Sequence, residues 1–131
     1  MTIAVLSTRE DSGHIIVALR GELDVVDAAS VMAGLAVAVA RNSRIILDLT
    51  ALDYIDCYAL HALGRVREQA RQAGGDLLLA APRWPVRRLL DLTGLIRVFS
   101  VHASVDEAMR AAGFRRWRVR GRRQLLPGSR R

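Results

Sequence analysis

The fold is decided by the stretch RIILDLTALDYIDCYAL, residues 44–60. Residues 44–49 form a short and largely apolar run of the kind found in a central strand that is covered on both faces. From residue 56 a different pattern begins, in which Leu60, Leu63, Val66 and Ala70 fall on one stripe of a helix. The stretch therefore predicts a buried strand followed by an amphipathic helix over residues 56–73. Because ligands and partners tend to meet open sheets beyond the strand ends, we expect a site between the two.

Two short strands rich in Ile and Val are predicted before this stretch, at residues 3–6 and 14–19. The polar cluster between them, residues 9–13, contains a glycine and is typical of a hairpin turn, so the strands should be antiparallel. Residues 27–41 then carry apolar side chains at steps of three and four. This spacing predicts a first helix with Asp27 as its N-cap.

The C-terminal half continues the alternation of strand and helix. Residues 76–81 predict a buried strand, and Pro85 and Gly94 mark the start and the end of a third helix. Residues 98–101 predict a last strand, and Ser104, with a glutamate three residues later, has the capping-box spacing of a final helix. The resulting order is ββαβαβαβα, an α/β fold with a mixed β-sheet and helices packed on it.

Length and composition exclude several classes of protein. The chain has 131 residues, with three His and one Cys. Its longest apolar run, residues 31–40, is about half of the roughly 20 residues that span a bilayer, and its first residues lack the pattern of a secretion signal. A single Cys cannot form an internal disulfide, and the scattered His do not complete a zinc site. We expect a cytoplasmic single domain without a membrane span, metal or cofactor.

The charge of the chain is divided unevenly. Residues 1–114 contain 12 Arg and 13 acidic residues, a net charge of −1, whereas residues 115–131 contain eight Arg and no acid, a charge of +8, which together give +7. We therefore expect one domain at residues 1–114 and a flexible Arg-rich tail at residues 115–131.

Three roles for the tail remain open at this stage. It can be a solvated appendage, it can bind the phosphates of nucleic acid or anionic lipid by releasing counterions, or it can fold back on acidic positions of the domain and cover its partner surface. A nucleic acid would be contacted by Arg115, Arg116, Arg118, Arg120, Arg122 and Arg123.

Three stretches resemble the STAS domain of bacterial anti-sigma factor antagonists, and the resemblance covers about residues 2–113. They are LRGELD (residues 19–24), ILDLTALDYID (residues 46–56) and RRLLDLTGL (residues 87–95). The resemblance implies a STAS-type fold and a protein that binds an anti-sigma factor, usually an ATP-dependent serine kinase. Binding would free a sigma factor to engage RNA polymerase, so we expect a regulator of transcription and not an enzyme. The alternative is a nucleic-acid-binding protein that uses its tail on a STAS-like scaffold.

The family is typically switched by phosphorylation in the motif Asp-Ser-Ser/Thr-Gly-Leu, at the start of the helix that follows the central strand. Here the matching residues are Asp56-Cys57-Tyr58-Ala59-Leu60, so Tyr58 stands at the phosphoacceptor position. A phosphate there would be favoured by the helix N-terminus. The Tyr58 hydroxyl, however, lies several ångströms farther from the backbone than that of serine. We therefore expect a constitutive binder or a diverged scaffold that lacks the usual Ser/Thr switch.

The resemblance places partner binding on one turn and on the start of this helix. The residues concerned are Asp24, Asp56, Cys57, Tyr58, Ala59 and Leu60. Several of them have structural alternatives: Asp56 can act as an N-cap, Asp24 can bond its own backbone, and Cys57 can be a redox-sensitive thiol or a small residue in the place of serine. His61 is four residues from Cys57, but nothing in the sequence suggests an oriented base with an oxyanion site, so no catalytic dyad is expected.

Overall fold

The structure, a computed structural model, describes residues 5–112. Within them, the order of elements confirms the predicted ββαβαβαβα fold. The elements are β1 (Val5–Asp11), β2 (His14–Leu23), α1 (Val25–Arg41), β3 (Arg44–Ile55), α2 (Cys57–Gln72), β4 (Asp76–Ala80), α3 (Trp84–Thr93), a short 3₁₀ helix (Leu95–Arg97), β5 (Ser100–His102) and α4, which is helical over residues 105–112. The start of the predicted first strand, the domain boundary at residue 114 and the tail at residues 115–131 lie outside the described residues.

The five strands form one mixed sheet in the order β1-β2-β3-β4-β5. Strand β1 is antiparallel to β2, as the predicted hairpin requires, and the other neighbouring pairs are parallel because a helix connects each of them. Strands β2, β3, β4 and β5 therefore end at the same edge of the sheet, which we call the carboxyl edge. Helices α1, α2, α3 and α4 all begin there, so the N-terminus of every α-helix in residues 5–112 lies at this edge.

Each face of the sheet carries its own apolar core. The first face packs against α1, α2 and α3, and its fully buried side chains include Leu35, Leu47, Leu63 and Leu90. The second face packs against α4, with a smaller core. That core consists of Ile16, Ile46, Leu78, Ala80 and Ala108. The burial of β3 on both faces agrees with the apolar run that predicted it.

The hairpin turn is shorter than predicted. Strand β1 runs on to Asp11, and only Ser12 and Gly13 form the turn, both with positive φ (53° and 81°). Two such residues make a turn whose twist matches that of the paired strands. The polar residues before the turn were assigned to a loop, yet they belong to the strand, because an edge strand with solvent on one side accommodates polar side chains.

Strands β2 and β3 are also longer than predicted. They remain paired up to Leu23 and Ile55, through register shifts between Ala18 and Arg20 and between Gly21 and Glu22. Such bulges insert an extra residue in one strand, so the simple two-residue alternation of apolar side chains is lost. This is why the sequence pattern after residue 49 did not predict a strand.

The N-cap predicted for α1 is wrong. The helix begins at Val25, and its cap is Asp24, whose Oδ1 accepts hydrogen bonds from the backbone N–H groups of Val26 (3.0 Å) and Asp27 (3.4 Å). Asp27 lies inside the first turn. The helix starts earlier because β2 leads directly into it, with Asp24 in the extended conformation that an N-cap requires.

The caps predicted for the last two helices are confirmed. Gly94 ends α3 in the left-handed conformation, with φ of 78°, and Ser104 Oγ accepts a hydrogen bond from the backbone N–H of Glu107 at 3.1 Å. The last strand begins two residues later than predicted, at Ser100. The 3₁₀ helix occupies the intervening chain, and the N–H of Phe99 bonds back to Leu95 at 3.0 Å.

Candidate functional site

Two aspartates organise the part of the carboxyl edge where β2 and β3 end. Asp24 follows β2 and caps α1, and Asp56 follows β3 and caps α2, with its Oδ1 accepting from the backbone N–H of Ala59 at 2.8 Å. Both residues have the extended backbone of an N-cap. Asp24 therefore bonds the nearby backbone and Asp56 acts as an N-cap, which are the structural roles that the sequence left open for them.

Asp56 makes a second contact that joins the two helix N-termini. Its Oδ2 accepts a hydrogen bond from the backbone N–H of Val25 at 2.9 Å, and its own N–H donates to the carbonyl of Leu23 at 3.1 Å. Both oxygens of one carboxylate are thus held by backbone donors from two helices. The first turns of α1 and α2 are fixed beside each other by this arrangement.

Large apolar and aromatic side chains are exposed around these two turns. The exposed fraction is 54% for Val25, 81% for Val26, 48% for Tyr54 and 55% for Tyr58. Cys57 is also exposed and is a free thiol. We call these five residues, together with Asp24 and Asp56, the cap surface. Exposed apolar side chains grouped around one hydrogen-bonded pair, Val25 and Asp56, are typical of a surface that binds another macromolecule.

The predicted site residues divide into two groups. Asp24, Asp56, Cys57 and Tyr58 meet on the cap surface. Ala59 and Leu60 are instead buried, with exposed fractions of 0% and 1%, and pack into the core on the first face of the sheet. Their position suits them to fix α2 against the sheet.

Sequence reasoning missed three residues of the cap surface. Val25 and Val26 were passed over because the first helix was predicted to begin at Asp27, and Tyr54 because β3 was predicted to end at residue 49. The sequence does contain a signal for Val25 and Val26. Asp24 is a residue type that favours the N-cap position, and the two valines that follow it would then lie in the first turn of the helix.

The carboxyl edge beside the cap surface is acidic. Glu22, Asp24 and Asp27 lie where β2 passes into α1, and Asp53 and Asp56 lie where β3 passes into α2. The one ion pair that the structure gives these five carboxylates, within the described residues, joins Asp53 to Arg83 Nη1 at 2.8 Å. Glu22 stands opposite Tyr54 in the register of β2 and β3. A partner with basic side chains and an apolar centre would match this edge.

Cys57 and His61 are linked through the helix backbone. His61 Nδ1 donates a hydrogen bond to the backbone carbonyl of Cys57 at 2.8 Å, which ties the ring to the helix backbone. No group of three or more His, Cys, Asp or Glu side chains in residues 5–112 is arranged to hold a metal ion. In the same part of the chain, no helix has both the length and the apolar character needed to cross a membrane.

The sequence is similar to proteins of one family over most of its length. The profile of the STAS domain family matches residues 6–108. BtrV of Bordetella bronchiseptica, whose name is that of an anti-sigma factor antagonist, is 34% identical over 104 residues, which cover 79% of this chain and 88% of BtrV. The anti-sigma F factor antagonist of Paenibacillus polymyxa is 33% identical over 100 residues, 74% of this chain and 85% of that protein.

The fold is likewise similar to solved structures. The crystal structure of an anti-sigma factor antagonist from Mycobacterium paratuberculosis superposes with a TM-score of 0.76 and 25% identity, over 84% of this chain and 94% of that one. The match includes the sheet and the helices that build the carboxyl edge, because it spans most of both chains.

Proposed function

The chain belongs to the STAS domain family, and on that premise we propose that it is an anti-sigma factor antagonist. It binds an anti-sigma factor in the cytoplasm, releases the sigma factor that this protein holds, and thereby regulates transcription without being an enzyme. The names of the relatives support this role, since proteins up to 34% identical to the chain are named as anti-sigma factor antagonists.

The observation that carries the proposal is the exposure of Tyr58 at the start of α2. A side chain of this size with 55% of its surface in solvent, in the same patch as Val25 and Val26, has the character of an interface centre. Tyrosine is enriched in such centres because it buries a large area with little loss of conformational entropy. In this proposal Asp24, Asp56 and Cys57 contact the partner around Tyr58, and Ala59 and Leu60 support the turn from below.

The same residue supports an interaction that lacks the usual phosphorylation switch. Position 58 corresponds to the phosphoacceptor of the family motif, and it carries a phenol in place of a short hydroxyl side chain. We infer that the affinity for the anti-sigma factor is set by the surface itself and not by phosphorylation at Tyr58.

A competition experiment tests the proposal. The purified full chain is added to a complex of the anti-sigma factor and sigma factor encoded in the same genome, and release of the sigma factor is followed by fluorescence anisotropy. We expect release by the wild type and a loss of at least about 1 kcal/mol, roughly fivefold in Kd, for Tyr58→Ala. Leu92→Ala is the matched control, because Leu92 is an apolar residue on α3 with an even larger exposed fraction (69%).

Two results would overturn the proposal. One is the absence of binding to any anti-sigma factor of that genome. The other is equal loss for Tyr58→Ala and Leu92→Ala, which would place the contact elsewhere on the protein.

Nucleic-acid binding through the tail is the other candidate, and the eight arginines of residues 115–131 are the observation that favours it. Its test is the binding of a labelled DNA duplex by the full chain as salt is raised. Counterion release predicts that log K falls linearly with log salt, with a slope of about −0.9 for each phosphate contacted. Replacing the six arginines at 115, 116, 118, 120, 122 and 123 by Gln would then abolish binding.

A further inference from the structure

We propose that the Arg-rich tail of the chain, residues 115–131, docks on its own cap surface and competes there with the protein partner. The occupant of the exposed patch around Tyr58 in the unbound protein is thus a segment of the same chain. The regulatory consequence rests on the proposed function, whereas the docking itself does not.

The first argument is charge complementarity. The tail carries eight Arg and no acidic residue, and the carboxyl edge around the cap surface carries Glu22, Asp24, Asp27, Asp53 and Asp56. Among these carboxylates the structure gives only Asp53 an arginine partner within residues 5–112, and that pair is half exposed on both sides. Glu22 and Asp53 are exposed and can receive guanidinium groups without disturbing a helix cap.

The second argument is the match in apolar character. The tail places Val119 between two arginines, and Leu125 and Leu126 follow the arginine cluster. The cap surface offers two aromatic rings, Tyr54 and Tyr58, and aliphatic Val25 and Val26. Arginine stacks on tyrosine rings, and these apolar side chains of the tail can cover the valines. A purely acidic or purely apolar surface would match only one of these two features.

The third argument is reach. Helix α4 packs on the second face of the sheet, in the same core as Ile16 and Ile46. The described chain ends in this helix, at residue 112. From Ile46 to Ile55 at the carboxyl edge the strand spans about 30 Å at 3.3 Å per residue. Residues 113–123, which carry six of the eight tail arginines, can cover up to about 40 Å when extended. Tyr54 and Glu22 are adjacent in register, and Glu22 lies on the same face as Ile16 by strand alternation, so the tail can reach them without crossing to the opposite face.

Tethering makes a weak contact effective. A segment joined by a short flexible linker meets its site at an effective concentration on the order of millimolar, far above that of a free peptide in the cell. A partner then binds only when the tail has left, so its apparent affinity is its intrinsic affinity multiplied by the fraction of chains whose surface is free. The tail would thus take the place of the switch that position 58 lacks.

The lone cysteine allows a direct test on the full chain. A nitroxide spin label is attached to Cys57, the single Cys of the sequence and an exposed member of the cap surface. The broadening of tail amide signals is then measured by NMR at about 0.1 M salt, where the Debye length is about 10 Å, and at about 1 M, where it is about 3 Å.

We expect the amides of residues 118–123 to lose intensity at low salt and to recover it at high salt. Charge variants locate the contact. Replacing Arg118, Arg120, Arg122 and Arg123 by Gln should abolish the broadening, and Glu22→Gln combined with Asp53→Asn should reduce it. Glu68→Gln is the matched control, because Glu68 is exposed on α2 about 16 Å along the helix from Cys57 and should leave the broadening unchanged.

A sample without the spin label shows whether the nitroxide on Cys57 itself alters the contact between the tail and the cap surface. The backbone amide shifts of Val25, Val26 and Tyr58 should differ between the wild type and the arginine variant at low salt and coincide at high salt. Equal shifts at low salt, or tail broadening that none of the charge variants changes, would overturn the proposal.

A mixed sample separates contact within one chain from contact between chains. Isotope-labelled chains without nitroxide are mixed with spin-labelled chains at natural isotope abundance. Broadening that persists in this sample would mean that the tail binds a second copy, which contradicts docking within the chain. None of these measurements contains the anti-sigma factor, so their failure would leave the proposed function standing.

Discussion

Asp56 and Val25 are joined across the carboxyl edge by a hydrogen bond of 2.9 Å from the Val25 N–H to Asp56 Oδ2. The other oxygen of the same carboxylate caps α2 through Ala59 at 2.8 Å. One side chain therefore satisfies N-terminal donors of two helices, and the relative position of the first turns of α1 and α2 depends on it. Several consequences for stability and for regulation can be measured.

Asp56→Ala should lower the free energy of unfolding by about 2 kcal/mol, because two caps of about 1 kcal/mol each are lost. Asp56→Asn should cost about half as much, since its amide keeps a single acceptor oxygen. The control is Asp53→Ala, which removes an exposed ion pair with Arg83 and should cost at most about 1 kcal/mol. Urea denaturation measures all three, and equal losses for Asp56→Ala and Asp56→Asn would contradict a double cap.

Asp24→Ala should destabilise the protein by about 1 kcal/mol, and Asp24→Asn by only a few tenths, because asparagine retains the capping oxygen. Asp27→Ala should cost about 0.3–1 kcal/mol through the helix dipole alone. The same substitutions distinguish the observed cap from the one that the sequence predicted. A larger loss of stability for Asp27→Ala than for Asp27→Asn, with no such difference between the two Asp24 variants, would instead place the N-cap of α1 at Asp27.

Gly75→Ala should destabilise the protein by about 2 to 3 kcal/mol, as overpacking does when rigid neighbours cannot move. A Cβ at position 75 would collide with the backbone carbonyl of Ser43, which also accepts a hydrogen bond from the N–H of Asp76 at 3.0 Å. Gly74→Ala is the neighbouring control. Nothing lies within 4 Å of its Cβ position, so only the left-handed backbone (φ of 92°) opposes it, at about 1 kcal/mol. Thermal unfolding should rank Gly75→Ala clearly below Gly74→Ala.

Wild-type protein incubated with a serine-kinase anti-sigma factor and ATP should gain no phosphate at Tyr58, whereas Tyr58→Ser should gain one. The serine hydroxyl lies at the short reach for which the family motif is built, and the new phosphate would be stabilised by the N-terminus of α2. Intact-mass and peptide mass spectrometry measure the site. Tyr54→Ser, which places a hydroxyl in β3, should remain unmodified, and phosphate on Tyr58 of the wild type would refute the absence of the switch.

Local patterns in the sequence were sufficient for the order of the elements and for several of their ends. The stripe from Leu60 to Ala70 defined α2, Gly94 ended α3, and Ser104 capped α4, because each of these features depends on residues less than four positions apart or on one helix face. The resemblance of three short stretches also identified the family, which the comparisons confirm. Composition alone separated the Arg-rich tail from the remainder of the chain.

The tertiary structure decided what those local patterns could not. Strand β3 continues to Ile55 because its pairing with β2 tolerates two register shifts, each with an extra residue in β3, and these extra residues interrupt the alternation that would have predicted the strand. Val25 and Val26 come to lie beside Cys57 and Tyr58 only because β2 and β3 end side by side. The bond between Val25 and Asp56 spans 31 positions of the sequence, so it exists only once the sheet has brought the two helix N-termini together.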